Sequence, residues 1–286
     1  ALGQLLKQRG QAPVIPFHPV SFPANTSRQS TKPLPLRAVF TRLHSADDIP
    51  DCANVCQMIY IPINIKEHIV KELQNRGLPL AVTMPRGMFG TERTIASKLE
   101  QFLKWDISHV WAGTVNSVAL AKTLGCNIHG GYSLNVTNTA AFEWYEQLGL
   151  TDLELSYELT LKQSAKIGGS LPRGLLLYGR LPLMLCRNCP GKNDGKNCKN
   201  CNGTTWLTDR KNIKFPVQCD YGCSEVLNAV PLTMSDRISD ISGMNFGILR
   251  FTVENSVEIE ETFQQFLYQK VPLGHYTRGL YEKGIK

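Results

Sequence analysis

The sequence predicts an α/β protein, a (β/α)8 barrel of the TIM type carrying a cysteine-rich metal-binding insertion after its seventh strand. Three observations lead there. Eight short β-rich apolar runs alternate with helix-like stretches, every connection between them but one is short, and the exceptional one, from Tyr178 to Gly247, holds two C-x-x-C pairs.

The runs expected as strands are Arg37–Leu43, Met58–Ile63, Leu78–Met84, His109–Ala112, Asn127–Gly130, Asp152–Leu155, Gly174–Tyr178 and Gly247–Thr252. Eight is the number at which a parallel sheet closes on itself with side chains filling its interior. The helices between them announce their ends. Asn64 with Glu67 is expected to open one and Gly77 to close it, Asn255 with Glu258 opens the last, and Thr114 to Gly125 and Asn138 to Gly149 repeat the cap-helix-glycine order. An open doubly wound sheet is the competing arrangement, but no G-x-G-x-x-G follows the first strand to bind a dinucleotide.

A chain of 286 residues, 42% hydrophobic and 19% charged, suffices for one barrel-sized core. No run of eighteen apolar residues and no secretory signal pattern is present, so a cytoplasmic protein without a membrane partner is expected. The opening segment ALGQLLKQRG reads as the end of an amphipathic helix, and six prolines between residues 11 and 36 block both helix and central strand. Residues 1–35 are therefore assigned to the tail and linker of a preceding domain, residues 36–286 to the barrel, and 185–232 to its insertion. The preceding domains of the same polypeptide are expected as partners.

Six of the nine cysteines lie between Cys186 and Cys223, in a polar, glycine-rich stretch with little core to enter. Crowding of this kind favours a metal over disulfides or buried thiols. Cys186/Cys189 and Cys198/Cys201 form C-x-x-C turns, each able to supply two thiolates to a tetrahedral ion, and Cys219 and Cys223 follow. The ligand set is either Cys186, Cys189, Cys198 and Cys201, or the set with Cys219 in place of Cys186. The apolar LPLML before Cys186 favours the second, because it suggests that this thiol packs inside. Thiolate ligation suits zinc or an iron–sulfur cluster, and spacing does not choose between them.

The net charge of +7 is concentrated here: Arg187, Lys192, Lys196, Lys199, Arg210, Lys211 and Lys214 stand against Asp194 and Asp209 between Cys186 and Lys214. Barrel enzymes carry their catalytic groups at the C-terminal ends of the strands, where this chain offers Arg42, His44, Arg86, His129, Tyr132, Glu158, Arg180 and Glu254. None declares a catalytic role. H-E-x-x-H and G-x-S-x-G are absent. His129 before Gly130, Gly131 and Tyr132 suggests either an imidazole beside flexible backbone or a rim histidine, and Ser224, Glu225 and Asn228 are expected to tie the insertion to the barrel.

The segments YGRLPLMLCRNCP, LTDRKNIKFPVQC, SEVLNAVPLTMSDR and YTRGLYEKG resemble the C-terminal region of the longer members of peptidase family U32, the collagenase-like peptidases. The resemblance implies two activities. The family was named for collagen-degrading peptidase activity, whereas other members bind iron–sulfur clusters and support hydroxylation of transfer or ribosomal RNA or of a quinone precursor. In the cluster-binding members the first barrel carries an H-G-A-x-C type motif, and this chain departs from it with Tyr178-Gly179-Arg180-Leu181-Pro182. Matching positions in the second-barrel pattern are Cys189, Cys198, Cys201 and Cys219. The resemblance therefore selects this set as the metal ligands, with zinc as the expected ion and a 4Fe-4S cluster as the alternative. The function expected is that of a barrel within an RNA-hydroxylating protein, with transfer or ribosomal RNA as partner. Collagenase-like peptide hydrolysis and a metal-stabilised scaffold are the alternatives.

Overall fold

In the computed structural model, which describes residues 2–10, 16, 19, 21, 33–194 and 203–284, eight parallel strands close into a barrel. They are β1 (Leu36–Phe40), β2 (Met58–Pro62), β3 (Leu80–Thr83), β4 (His109–Ala112), β5 (Asn127–Gly130), β6 (Asp152–Glu154), β7 (Arg173–Gly179) and, after the long insertion, β13 (Phe246–Phe251). Each pairs with the next, and β13 closes the ring by pairing with both β7 and β1. All eight expected strands are present, within a few residues of their predicted ends.

The helices are α2 (Glu67–Asn75), α3 (Glu92–Lys104), α4 (Val115–Thr123), α5 (Thr139–Gln147), the short α6 (Leu161–Ser164) and α7 (Ser256–Leu267), preceded by α1 (Leu2–Arg9), which buries none of its residues. Their caps follow sequence chemistry. Thr114 and Asn138 accept from the amides of Ser117 and Ala141, and Asn255 and Glu258 form a reciprocal capping box. One expectation fails: α2 begins after Lys66, and Asn64 instead lies at the barrel mouth. Between β1 and β2 two short 3-10 turns replace a helix. Among the described residues no helix is long and apolar enough to cross a membrane.

Strand alternation separates two cores. Ala38, Phe40, Ile59, Ile61 and Val82 point outward under the helices, while Val39, Tyr60, Ala81, Trp111, Leu176, Phe246 and Ile248 fill the lumen. Aromatic bulk inside is accommodated by glycine on, or just beyond, the neighbouring strand. A Cβ at Gly131 would run into the Trp111 ring, and one at Gly174 into Phe246.

The insertion is a four-stranded antiparallel sheet in the order β8-β11-β10-β9, formed by β8 (Pro182–Cys186), β9 (Thr204–Thr208), β10 (Lys214–Asp220) and β11 (Cys223–Leu227). The short β12 (Leu232–Thr233) then returns antiparallel to β7. Polar contacts fasten the sheet to the barrel's C-terminal end. The Thr41 hydroxyl donates to Gln218 Oε1 at 3.2 Å, Gln218 Nε2 to the Thr252 carbonyl at 2.6 Å, and Arg42 to the carbonyls of Gly203 and Cys219. The LPLML run does not pack inward as expected. Leu183, Met184 and Leu185 are exposed because β8 is an edge strand, and Cys186 is only half-buried.

Candidate functional site at the barrel mouth

The C-terminal ends of the strands and the underside of the insertion enclose a cavity of about 110 Å³, ample for several waters or a small ligand. Its floor is the top of the lumen: Val39, Trp111, Glu154 and Ile248. Arg86, Tyr132 and Arg250 form the walls, and Gln218, Cys219, Cys223 and Glu225 reach in from β10 and β11.

One carboxylate and one phenol organise the walls. Glu225 accepts from Arg86 Nη1 at 2.7 Å through one oxygen and from Arg250 Nη2 at 3.2 Å through the other. The Tyr132 hydroxyl takes hydrogen bonds from the same two guanidinium groups. Two cations thus share a single carboxylate in a buried wall, leaving an excess of positive charge where solvent screens it poorly. Burial opposes the Arg250 charge, but Tyr132 and Glu225 more than offset this and hold it firmly protonated.

Glu154 behaves differently. It is 2% exposed, and its Oε2 accepts from the Tyr132 amide at 3.1 Å and the Trp111 indole at 3.4 Å. Burial raises the carboxyl to about 7, against the lowering influence of the Tyr132 amide and Arg250. Glu154 therefore changes charge near neutrality, as a proton donor or acceptor at an active site must.

The expected site residues divide into those at the cavity and those elsewhere. Arg42, Arg86 and Tyr132 line it. His44 and Glu158 are exposed, away from its lining. Arg180 binds the carbonyls of Asn228 and Ala229 and pairs with Glu254 at 3.6 Å, while Glu254 accepts from the amides of Thr252 and Val253; both brace loops. His129 corrects the rim reading. Its ring points into the lumen, with Nδ1 2.8 Å from Asp152 Oδ2 and Nε2 2.9 Å from His109 Nδ1. The glycines after it supply room for Trp111 and the leucines around Gly130 rather than a catalytic loop. Glu225 does tie the insertion to the barrel, through Arg86 and Arg250, whereas the Ser224 hydroxyl meets Cys219 inside the insertion's own sheet. Glu154, Arg250 and Trp111 were not anticipated. Their signal was alternation: Asp152 and Glu154 are the polar alternates of a strand whose other face is leucine, and Arg250 interrupts the apolar GILRFT.

Of the four expected metal ligands, Cys198 and Cys201 lie outside the described residues. The other two come together: the sulfurs of Cys189 and Cys219 are 3.3 Å apart, unbridged, with the Ser224 hydroxyl 3.2 Å from Cys219. Two thiolates on one tetrahedral ion, each at about 2.3 Å, stand roughly 3.8 Å apart, so this pair is close to the spacing a shared ion requires. Burial works to raise the Cys189 thiol, but hydrogen bonding from Cys219, Ser224 and the backbone of Gly191 and Lys192 outweighs it and holds the thiol below its ordinary range. Two thiols at this spacing are donors of the kind a thiophilic ion takes. Among the described residues no group of three or more His, Cys, Asp or Glu side chains is gathered as a metal site. Cys52, Cys56 and Cys126 lie on barrel elements, remote in sequence from this pair.

No protein-family model matches the chain, and no curated protein does. Among solved structures it is similar to the U32 peptidase Mk0906, over 54% of this chain and 73% of that one, at 14% identity and a TM-score of 0.40.

Proposed function

We propose that this chain is the C-terminal barrel of a U32-type RNA-modifying protein, which grips RNA through its insertion while hydroxylation takes place on a preceding barrel of the same polypeptide. The observation that carries the reading is the insertion's surface. Arg187, Lys192, Arg210, Lys211 and Lys214 are all exposed, and the exposed Asp209 beside them has its carboxylate engaged by the β9–β10 hairpin, accepting from the amides of Lys211 and Ile213. A cationic face of this kind suits a phosphate backbone. Cys189, Cys198, Cys201 and Cys219 would hold a zinc ion that keeps the insertion's loops rigid, a closed four-thiolate site with no position for substrate. Peptide hydrolysis draws less support, because the described lining of the mouth cavity pairs no serine, threonine or cysteine with a histidine.

The test is filter binding of transfer RNA at several salt concentrations. Lys196 and Lys199 lie outside the described residues, so the variant to use is Arg210→Glu/Lys211→Glu/Lys214→Glu. Each phosphate contact removed lowers the logarithmic salt slope by roughly 0.7 to 0.9. A slope reduced by about 2 supports the reading, and an unchanged slope and affinity overturn it.

A further inference from the structure

Three residues that line the mouth cavity each carry a buried polar atom with no partner among the described residues: Arg86 at Nε, Arg250 at Nε and Glu154 at Oε1. These are not loose surface groups. Glu154 is 2% and Arg250 8% exposed, and each is fixed by other bonds: Arg86 and Arg250 through Nη atoms on Tyr132 and Glu225, Glu154 through Oε2 on Trp111 and Tyr132. Proteins rarely leave such atoms unmet, and three on residues that line one cavity point to the complement that would satisfy them. Two N–H donors call for acceptors. The two guanidinium charges on one carboxylate call for those acceptors to be anionic, and a carboxylate can offer one oxygen to each of the two Nε–H donors. Trp111 and Tyr132 add aromatic surface to the same cavity for the body of the ligand.

We infer that the mouth cavity binds a small organic carboxylate, whose carboxylate oxygens accept from Arg86 and Arg250 and whose remaining polar group meets Glu154. This assignment does not rest on the RNA reading, since it uses the barrel's lumen and not the insertion's basic face. Glu154 favours an anionic neighbour only when it carries its proton, so binding retains that proton and weakens as pH rises through about 7. Other groups around Glu154 are Arg37, Asp152 and Tyr60 below it, Tyr281, and Arg250 and Tyr132 beside it. At the walls and rim stand Arg86, Glu225, Arg42, Asp220 and the thiols of Cys219 and Cys223. Burial raises the phenols of Tyr60, Tyr132 and Tyr281, so they stay neutral across this range.

The experiment is calorimetric titration of the whole chain with benzoate, succinate and inorganic phosphate. Benzoate or succinate is expected to bind at pH 6 and to weaken roughly thirtyfold by pH 8.5, as for a ligand that needs one group near 7 protonated. Glu154→Gln keeps a neutral donor, so it should retain binding and lose the pH slope, which separates Glu154 from every other titrating group. Arg86→Gln, at the more exposed of the two arginines, should weaken binding at least about tenfold while circular dichroism still reports a folded barrel. Absence of carboxylate binding at pH 6, binding indifferent to Arg86→Gln, or phosphate binding in place of carboxylate would each overturn the assignment. The insertion variant Arg210→Glu/Lys211→Glu/Lys214→Glu should bind benzoate as the parent does, so a failure of the RNA reading leaves this result standing.

Discussion

Arg37 and Asp152 meet across the N-terminal end of the barrel, guanidinium Nη1 2.8 Å from carboxylate Oδ2, with side chains only 6% and 4% exposed. The same oxygen lies 2.8 Å from His129 Nδ1, and the Arg37 guanidinium also donates to Tyr60 and Gln57 and stacks on Phe246. At this end of a barrel such a network serves stability, since catalysis belongs to the opposite face. Asp152→Asn leaves a buried cation without its counter-charge, and a loss of about 3 to 5 kcal/mol in urea unfolding is expected. A loss under about 1 kcal/mol would show that the pair is not the fastener of the floor. Arg37→Met/Asp152→Leu should recover much of the loss.

The half-buried His109 completes this network, and burial first, then the adjacent His129, hold its pKa below the ordinary value. A histidine depressed in the folded state favours folding fully above its unfolded pKa, near 6.5. That contribution is lost as pH falls from there through the folded value. Stability from urea midpoints should therefore fall between pH 6.5 and pH 5, and His109→Gln should flatten that limb. An identical limb in the variant would assign it to other groups.

Glu154 acts in the opposite sense. Its folded value of about 7 lies above the unfolded carboxyl near 4.5, so folding is favoured most below 4.5 and that advantage is lost as pH rises to 7. Glu154→Gln should be near neutral in stability at pH 5 and more stable than the parent by about 1 to 3 kcal/mol at pH 8, the usual worth of relieving a buried charge short of partners. Equal effects at both pH values would mean that the carboxyl titrates normally.

The barrel was legible because each of its signals is local. Alternation marks the strands, and Thr114, Asn138 and Asn255 mark helix starts within three residues of the groups they cap. Lumen chemistry was half-legible: DLEL and GILRFT display their polar alternates, but which end of the barrel each occupies depends on strand stagger. That is why His129 was expected at the mouth and stands below it, bonded to Asp152. The insertion's sheet was hidden for another reason. Its runs LPLML, TTWLT, KFPVQC and CSEVL are β-rich, yet the first does not pair with the next: β8 pairs with β11, across the two strands that lie between them in the chain. Nothing in the spacing of the cysteines reveals that pairing, although it is what brings Cys189 and Cys219 together.

Gly131 offers a steric test of the cavity floor. Its backbone is extended, so alanine is conformationally acceptable, but the added methyl would collide with the Trp111 ring, which packs against Tyr132 with centroids 5.7 Å apart. Overpacking of this kind costs about 1 to 3 kcal/mol. Gly131→Ala should destabilise by that amount and shift tryptophan fluorescence, whereas Gly125→Ala, strained by its positive φ with no atom near its Cβ, should destabilise without the Trp111 signature.

The metal prediction separates the two ligand sets. Serine at Cys189, Cys201 or Cys219 should each lower bound zinc, measured by elemental analysis of protein purified without oxygen, because a serine oxygen is a poor replacement for thiolate. A visible absorption band would identify an iron–sulfur cluster in place of zinc. The barrel itself should keep its circular dichroism and most of its stability. Its strands bury their own two cores, unlike a small zinc finger whose folding free energy is its metal binding. Serine at Cys52, Cys56 or Cys126 should change neither metal nor insertion, since these residues sit on barrel elements. Cys186 is the discriminating position. It pairs in register with Ser224 on β11, the same residue that pairs with Cys219 on its other side, so Cys186 and Cys219 flank one position of the sheet. Loss of zinc with Cys186→Ser and its retention with Cys219→Ser would replace the proposed set by Cys186, Cys189, Cys198 and Cys201, and the 3.3 Å approach of Cys189 and Cys219 would then be a packing contact.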